Sequence, residues 1–167
     1  LLERTILIGK KCKLIDKVYV STDCKKMFQI SKNYDVNLKK LRAKHLSTSK
    51  ALTIDVIKNV IKEKKIKDSY ILLLQATSPF RTLEMTNSFL KKFKKSKNTN
   101  SSVSLTRFFH PHPEKIQIIE KNFVKSYLNK ESMRPRQYLP EVYCLNGLFY
   151  IAKSEQLVNK NSFFSNK

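Results

Sequence analysis

The chain is short of the residues that staple, bend or hide a backbone. It has three cysteines, two glycines, five prolines and no tryptophan. Cys12, Cys24 and Cys144 are odd in number and far apart, with neither zinc-ligand nor redox spacing, so they read as free thiols in a reducing cytoplasm. No apolar run approaches the roughly 18 residues that a membrane span needs. Nothing resembles a signal peptide, since Leu1-Leu2 is followed at once by Glu3-Arg4. With only two glycines, Gly147 stands out as a position needing positive φ or close backbone approach. Clustered metal ligands are missing as well: His45 stands alone, and His110-Pro111-His112-Pro113 has two histidines but no evident third ligand.

Acidic residues are scarce, 13 against 34 Lys and Arg, which gives a formal charge of +21. A nucleic-acid-binding module is the obvious reading of that number. Lysines outnumber arginines several-fold, however, and they are spread along the whole sequence with no basic stripe interleaved with aromatics. Clusters such as 62–67 and 91–97 fall late in expected helices, where positive charge suits the macrodipole. The charge therefore reads as a solvated basic surface that favours anionic ligands. Binding to nucleic acid is expected to be weak, sequence-independent and lost with modest salt. No membrane partner is expected.

What is present is a folding chain of 167 residues with 41% hydrophobic content, enough for one domain with a real core. Its organising stretch is 70–82, Tyr-Ile-Leu-Leu-Leu-Gln-Ala-Thr-Ser-Pro-Phe-Arg-Thr. The unbroken apolar run Tyr70–Leu74 suits a strand buried on both faces of a helix-covered sheet. It then turns polar at Gln75, Thr77 and Ser78, stops at Pro79, and Thr82 can cap a helix over 83–95. Ligands in open α/β sheets bind beyond the carboxyl ends of strands, so this polar cluster is well placed for a site.

Elsewhere, 1–13 suits a helix with Leu2, Ile6, Leu7 and Leu14 on one face. Val18–Val20 reads as a strand, with Ser21-Thr22-Asp23 able to cap a helix over 24–32. A second extended piece is expected around 36–38. A polar loop over 39–51 precedes the helix 52–65, striped by Ile54, Ile57, Val60 and Ile61, where the Thr53 hydroxyl can cap. Strand 102–106 completes an alternation that argues for a layered α/β domain with a largely parallel sheet. Beyond it the pattern changes. Residues 116–119 and 123–128 suit the arms of a hairpin. Arg134-Pro135-Arg136 forms a rigid cationic loop, and Asn146-Gly147 reads as a turn into a strand over 148–152. A guanidinium here can pair bidentately with carboxylate or phosphate.

Three segments together, Val18–Asp23 (VYVSTD), Leu72–Thr82 (LLLQATSPFRT) and Arg136–Tyr150 (RQYLPEVYCLNGLFY), resemble the acylneuraminate cytidylyltransferases, or CMP-sialic acid synthetases. Enzymes that activate pseudaminic and legionaminic acid look the same at this level. The resemblance spans nearly the whole chain and implies a three-layer α/β/α nucleotide-diphospho-sugar transferase-like fold with a mixed, Rossmann-like sheet. It implies one cytidylyltransferase domain over 1–167, incomplete at both ends, with a dimerisation arm over 107–140.

The implied reaction joins CTP and a nine-carbon 2-keto sugar acid to give CMP-sugar and pyrophosphate, with no protein nucleophile. On the same resemblance, Gln75, Arg136, Asn146, Tyr150, Phe163 and Phe164 contact the sugar acid, with Arg136 on its carboxylate. Arg42 and Thr53 fall on the nucleotide side, and Lys115 matches a lysine that reaches a neighbouring subunit's site. Family members hold Mg²⁺ through aspartates that this sequence does not contain, and wrap the CTP phosphates with an opening loop it also does not contain. No metal ligand is therefore assigned here, including Asp23. The resemblance further implies a cytoplasmic homodimer. Because half the phosphate site is missing as written, the chain by itself is expected to show negligible turnover. A catalytically inactive paralogue that keeps the sugar pocket as a binding or assembly subunit is the alternative.

Overall fold

The computed structural model describes residues 1–36, 40–128 and 133–164. They divide into two compact units, one formed by Leu1–Ser104 with Gly147–Lys167 and the other by Leu105–Asn146. Five helices are present: α1 (Leu2–Lys11), α2 (Lys25–Lys32), α3 (Thr53–Glu63), α4 (Leu83–Lys95) and α5 (Ser154–Lys160). The strands are β1 (Tyr70–Leu73), β2 (Ser101–Phe108), β3 (Gln117–Glu120), β4 (Phe123–Ser126) and β5 (Val142–Lys153).

In the first unit the sheet order is β1-β5-β2. Successive residues of β5 point to opposite faces, and each anchors one half of the core. Ile151 packs with Cys12, Leu90 and Phe93, from the α1 and α4 side. Ala152, its neighbour, packs with Ile57, Ile61 and Leu157, from α3 and α5. That arrangement is the expected three-layer α/β/α sandwich. The expected largely parallel sheet needs correction, because β1 and β5 are antiparallel, in register from Tyr70↔Lys153 to Leu73↔Tyr150. β5 enters the sheet after the long excursion of the second unit and not after a helical crossover, the connection that parallel neighbours need.

The helix ends follow local chemistry closely. Thr82 caps α4, its hydroxyl accepting the Met85 N–H at 3.1 Å. Thr22 accepts the Cys24 N–H at 3.2 Å, two residues before the N-cap of α2. Thr53 does not cap α3: the N-cap is Leu52, without a side-chain cap. On α1 the buried face is Ile6, Ile8 and Gly9 rather than one including Leu7, which is 38% exposed. Gly9 fixes that rotation, since a Cβ there would meet Val18 Cγ2 at 3.2 Å.

Two strand expectations also change. Val18–Val20 lies along a cavity wall and is not paired into a strand among the described residues. β1 is an edge of the described sheet, with Tyr70 exposed and Ile71–Leu73 half-buried, because the same cavity runs along it. Of the extended piece expected at 36–38, only Val36 is described, and it is buried; 37 and 38 lie outside the described residues.

The second unit contains the expected hairpin. β3 and β4 pair from Gln117↔Ser126 to Glu120↔Phe123. Lys121 and Asn122 form its two-residue turn with φ of 50° and 67°, the positive pair that a right-twisted hairpin requires. His112 is buried, its Nε2 3.1 Å from the Pro140 carbonyl and its Nδ1 accepting the Glu114 N–H.

One contact ties the start of α1 to the end of α2. The Tyr34 hydroxyl donates to the Glu3 carboxylate at 2.8 Å, and this bond raises the Tyr34 pKa above its ordinary 10.0. A raised folded-state value means that the contact stabilises fully below pH 10 and is lost as pH climbs through the folded pKa. Ultraviolet titration of the wild type against Tyr34→Phe is expected to show a late-ionising tyrosine. Glu3→Gln is expected to bring it back to the ordinary range.

Candidate functional site

The polar turn after β1 is held by side chains buried beneath it. Arg81 is fully buried and is the largest of the fully buried side chains. Its Nε and Nη2 donate to the Leu148 carbonyl at 3.1 and 3.0 Å, and Nη2 donates also to the Gln75 carbonyl at 2.8 Å. The guanidinium carbon sits 5.7 Å from the centre of the Phe149 ring. Nη1 is buried without a hydrogen-bond partner. Burial pulls the Arg81 pKa down from its ordinary value, since no surrounding water supports the charge. Ser78 adds a second link, its hydroxyl donating to the Gly147 carbonyl at 3.2 Å.

Gly147 lies inside the continuous strand β5 rather than at a turn leading into it, which corrects the expectation for Asn146-Gly147. Its φ of +71° is the left-handed value expected of it, and a strand interior with such a residue bends locally. A Cβ at this position would come 3.0 Å from Gln75 Oε1, so the Gln75 amide lies directly over the glycine. Gly147→Ala is expected to cost about 1–2 kcal/mol for the left-handed backbone. It should also push the Gln75 amide aside by a few tenths of an ångström. Urea unfolding and the Gln75 side-chain amide resonances check the two effects separately.

Tyr150 and Phe163, both expected on the sugar side, are brought together with ring centres 5.5 Å apart. Phe164 is half exposed, its N–H bonded to the Ser162 hydroxyl. Arg42 and Thr53, expected on the nucleotide side, line one cavity of about 1370 Å³ together with Ser21, Ser47, Thr48 and Ala76. Arg42 reaches the Asp23 carboxylate at 2.6 Å and the Ser47 hydroxyl at 3.1 Å. A guanidinium with five donors keeps some for a further anion.

The remaining expected residues belong to the second unit. Arg136 opens a single 3-10 turn, Arg136–Tyr138, and its guanidinium contacts His110 Nε2. Among the described residues no carboxylate forms an ion pair with it. Lys115 donates to the Arg134 carbonyl at 2.9 Å, tying the 113–115 turn to the cationic loop. Asn146 donates to the Thr106 hydroxyl at 3.1 Å, across from β5 to β2.

Sequence reasoning missed Arg81. The available signal was one arginine inside the organising stretch of a chain that otherwise uses lysine, because only a planar fork can satisfy two carbonyls from within a core. For Mg²⁺, no three His, Cys, Asp or Glu side chains among the described residues come together as a metal site. The residues present do not fit the ion, and no chemical step is routed through it.

Comparison with known proteins agrees with these motifs. The family described as Cytidylyltransferase matches residues 1–158. A CMP-N,N'-diacetyllegionaminic acid synthase of Legionella pneumophila is 29% identical over 180 residues, covering 99% of this chain and 72% of its own length. A pseudaminic acid cytidylyltransferase and UDP-2,4-diacetamido-2,4,6-trideoxy-beta-L-altropyranose hydrolase of Helicobacter pylori is 26% identical, over 96% of this chain and 31% of its own length. An N-acylneuraminate cytidylyltransferase of Escherichia coli is also 26% identical, over 98% of this chain and 38% of its own length. The strand-end motif, the glycine-backed glutamine and a match over nearly every residue lead to one conclusion: the chain belongs to the cytidylyltransferase family.

Proposed function

We propose that the protein acts in activating a nine-carbon 2-keto sugar acid of the sialic, legionaminic or pseudaminic type with CTP. The observation that carries this reading is that Arg42, Thr53 and Ala76 share one cavity. Ala76 directly follows Gln75, so the nucleotide-side residues and one residue of the strand-end motif line the same cavity. In the reaction the anomeric hydroxyl oxygen bonds to the α-phosphorus of CTP, the bond from that phosphorus to the bridging oxygen breaks, and pyrophosphate leaves with its electrons. The hydroxyl proton is lost to solvent. The chain's task is positioning and charge stabilisation. Arg42 faces phosphate, Thr53 the base or ribose, Gln75, Asn146, Tyr150, Phe163 and Phe164 the sugar, and Arg136 its carboxylate. Lys115 serves a neighbouring subunit's site, and Mg²⁺ is held by groups outside these residues. The cytoplasm is the setting that the family resemblance implies. No described helix is long and apolar enough to cross a membrane.

A homodimer fits the second unit. Its hairpin exposes Ile119 at 80%, Phe123 at 70% and Val124 at 68%, and Ile119 and Val124 are direct cross-strand partners. So much exposed apolar surface on one hairpin marks an association site. Ile119→Lys is expected to shift the molar mass found by light scattering from dimer to monomer.

Titration calorimetry with CTP and with N-acetylneuraminic, legionaminic and pseudaminic acids tests the substrate reading. Binding of CTP and of one acid is expected, and no binding of any acid would overturn it. Pyrophosphate release in the presence of Mg²⁺ separates an enzyme from an inactive paralogue that retains the pocket. Binding without pyrophosphate release would favour the inactive paralogue.

A further inference from the structure

Arg81 is an expensive residue for a core. Among the described residues the ion pairs are made by Lys40, Arg42, Arg107 and Lys125, and none includes Arg81. Its charge is buried against two neutral carbonyls and a ring face, and Nη1 has no partner at all. An apolar side chain of similar volume would serve packing better, because a buried ion is costly unless it is fully compensated. Such unsatisfied buried donors call for a reason beyond stability.

The register supplies that reason. β1 and β5 pair as far as Leu73↔Tyr150, and continuing the ladder by two residues would set Gln75 opposite Leu148. Those are the two residues whose carbonyls the Arg81 guanidinium holds. Just beyond the last pair of the register, the forked guanidinium therefore bridges one carbonyl from each of the two segments. Ser78 holds the Gly147 carbonyl beside it, and the Gln75 amide is left lying over Gly147.

We propose that Arg81 is a positioning residue that sets the Gln75 amide for the sugar acid by bridging Gln75 and Leu148 where the ladder ends. This rests on the proposed role of Gln75 and adds the group that determines where its amide sits. Arg81 touches no reacting atom. A lysine at this position keeps the charge but offers a single point of attachment, so it cannot hold both carbonyls.

The test uses the ¹⁵N-labelled chain, with the Gln75 side-chain amide assigned through Gln75→Asn. In Arg81→Lys the amide pair is expected to move towards the position of a free glutamine, and affinity for whichever of the N-acetylneuraminic, legionaminic and pseudaminic acids the wild type binds to fall about 10-fold or more. Ile8→Val, a change at a buried position of α1 that also lowers thermal stability, is expected to leave both readouts in place. An unmoved amide in Arg81→Lys, or an equal shift in Ile8→Val, would overturn the proposal. Should Arg81→Lys not fold, Ser78→Ala decides: removing the neighbouring link is expected to move the amide in the same direction, and no movement counts against it. If the wild type binds none of the three acids while the amide still depends on Arg81, the sugar reading falls and the positioning stands.

Discussion

Arg136→Lys is expected to weaken binding of the sugar acid by about 10- to 150-fold while leaving CTP binding unchanged. A guanidinium presents two parallel N–H donors to a planar carboxylate, whereas an ammonium presents one compact charge. Losing one charge-assisted bond of such a pair costs about 1.5–3 kcal/mol. In the structure Arg136 stands between Pro135 and the rest of a 3-10 turn, beside His110, with no carboxylate already occupying it among the described residues. An arginine that only stiffened an exposed loop would contribute about 0–1 kcal/mol. Calorimetric titration with each ligand separately decides between these sizes. A change of less than about threefold for the acid, or an equal loss for CTP, shows that Arg136 is not the carboxylate clamp.

Leu157→Ala should cause a comparable or larger loss, in stability rather than binding. Leu157 is fully buried on α5, where it joins Ile57 and Ile61 of α3 and Ala152 of β5. Truncation removes the transfer energy of its side chain and leaves a cavity that helices packed on both sides cannot close, a cost of about 3–5 kcal/mol. Natural domains are stable by only about 5–15 kcal/mol, so much of the total is at stake. For a chain of this size the melting temperature is expected to drop by roughly 6–20 °C. Calorimetry or circular dichroism against temperature measures it. A drop of only one or two degrees would mean that α5 does not close the lower face of the sheet.

Helices were the most legible part of the sequence. The stripe through Ile57 and Ile61 and the Thr82 cap sit where periodicity and capping chemistry put them. The hairpin turn was legible for the same reason, because its geometry depends on neighbouring residues. Strand partners were not. Nothing local to Tyr70–Leu73 says that its partner is β5, some 80 residues away and antiparallel. The apolar run gave the right element and the wrong burial, since burial depends on what lies along the open edge of the sheet.

Of the candidate site, residue types and their motif order were determined by the sequence alone: the glutamine after the strand, the special glycine, and the arginines flanking Pro135. Those depend on local chemistry and on resemblance. Only the tertiary structure decided that Gln75 lies over Gly147, that Tyr150 and Phe163 meet, and that Arg42 and Thr53 share a cavity. It alone gave Arg81 a role, because the two carbonyls it holds come from residues 73 positions apart in the chain. Pairing of groups so distant is chosen by packing and register, and a linear pattern does not encode either one directly.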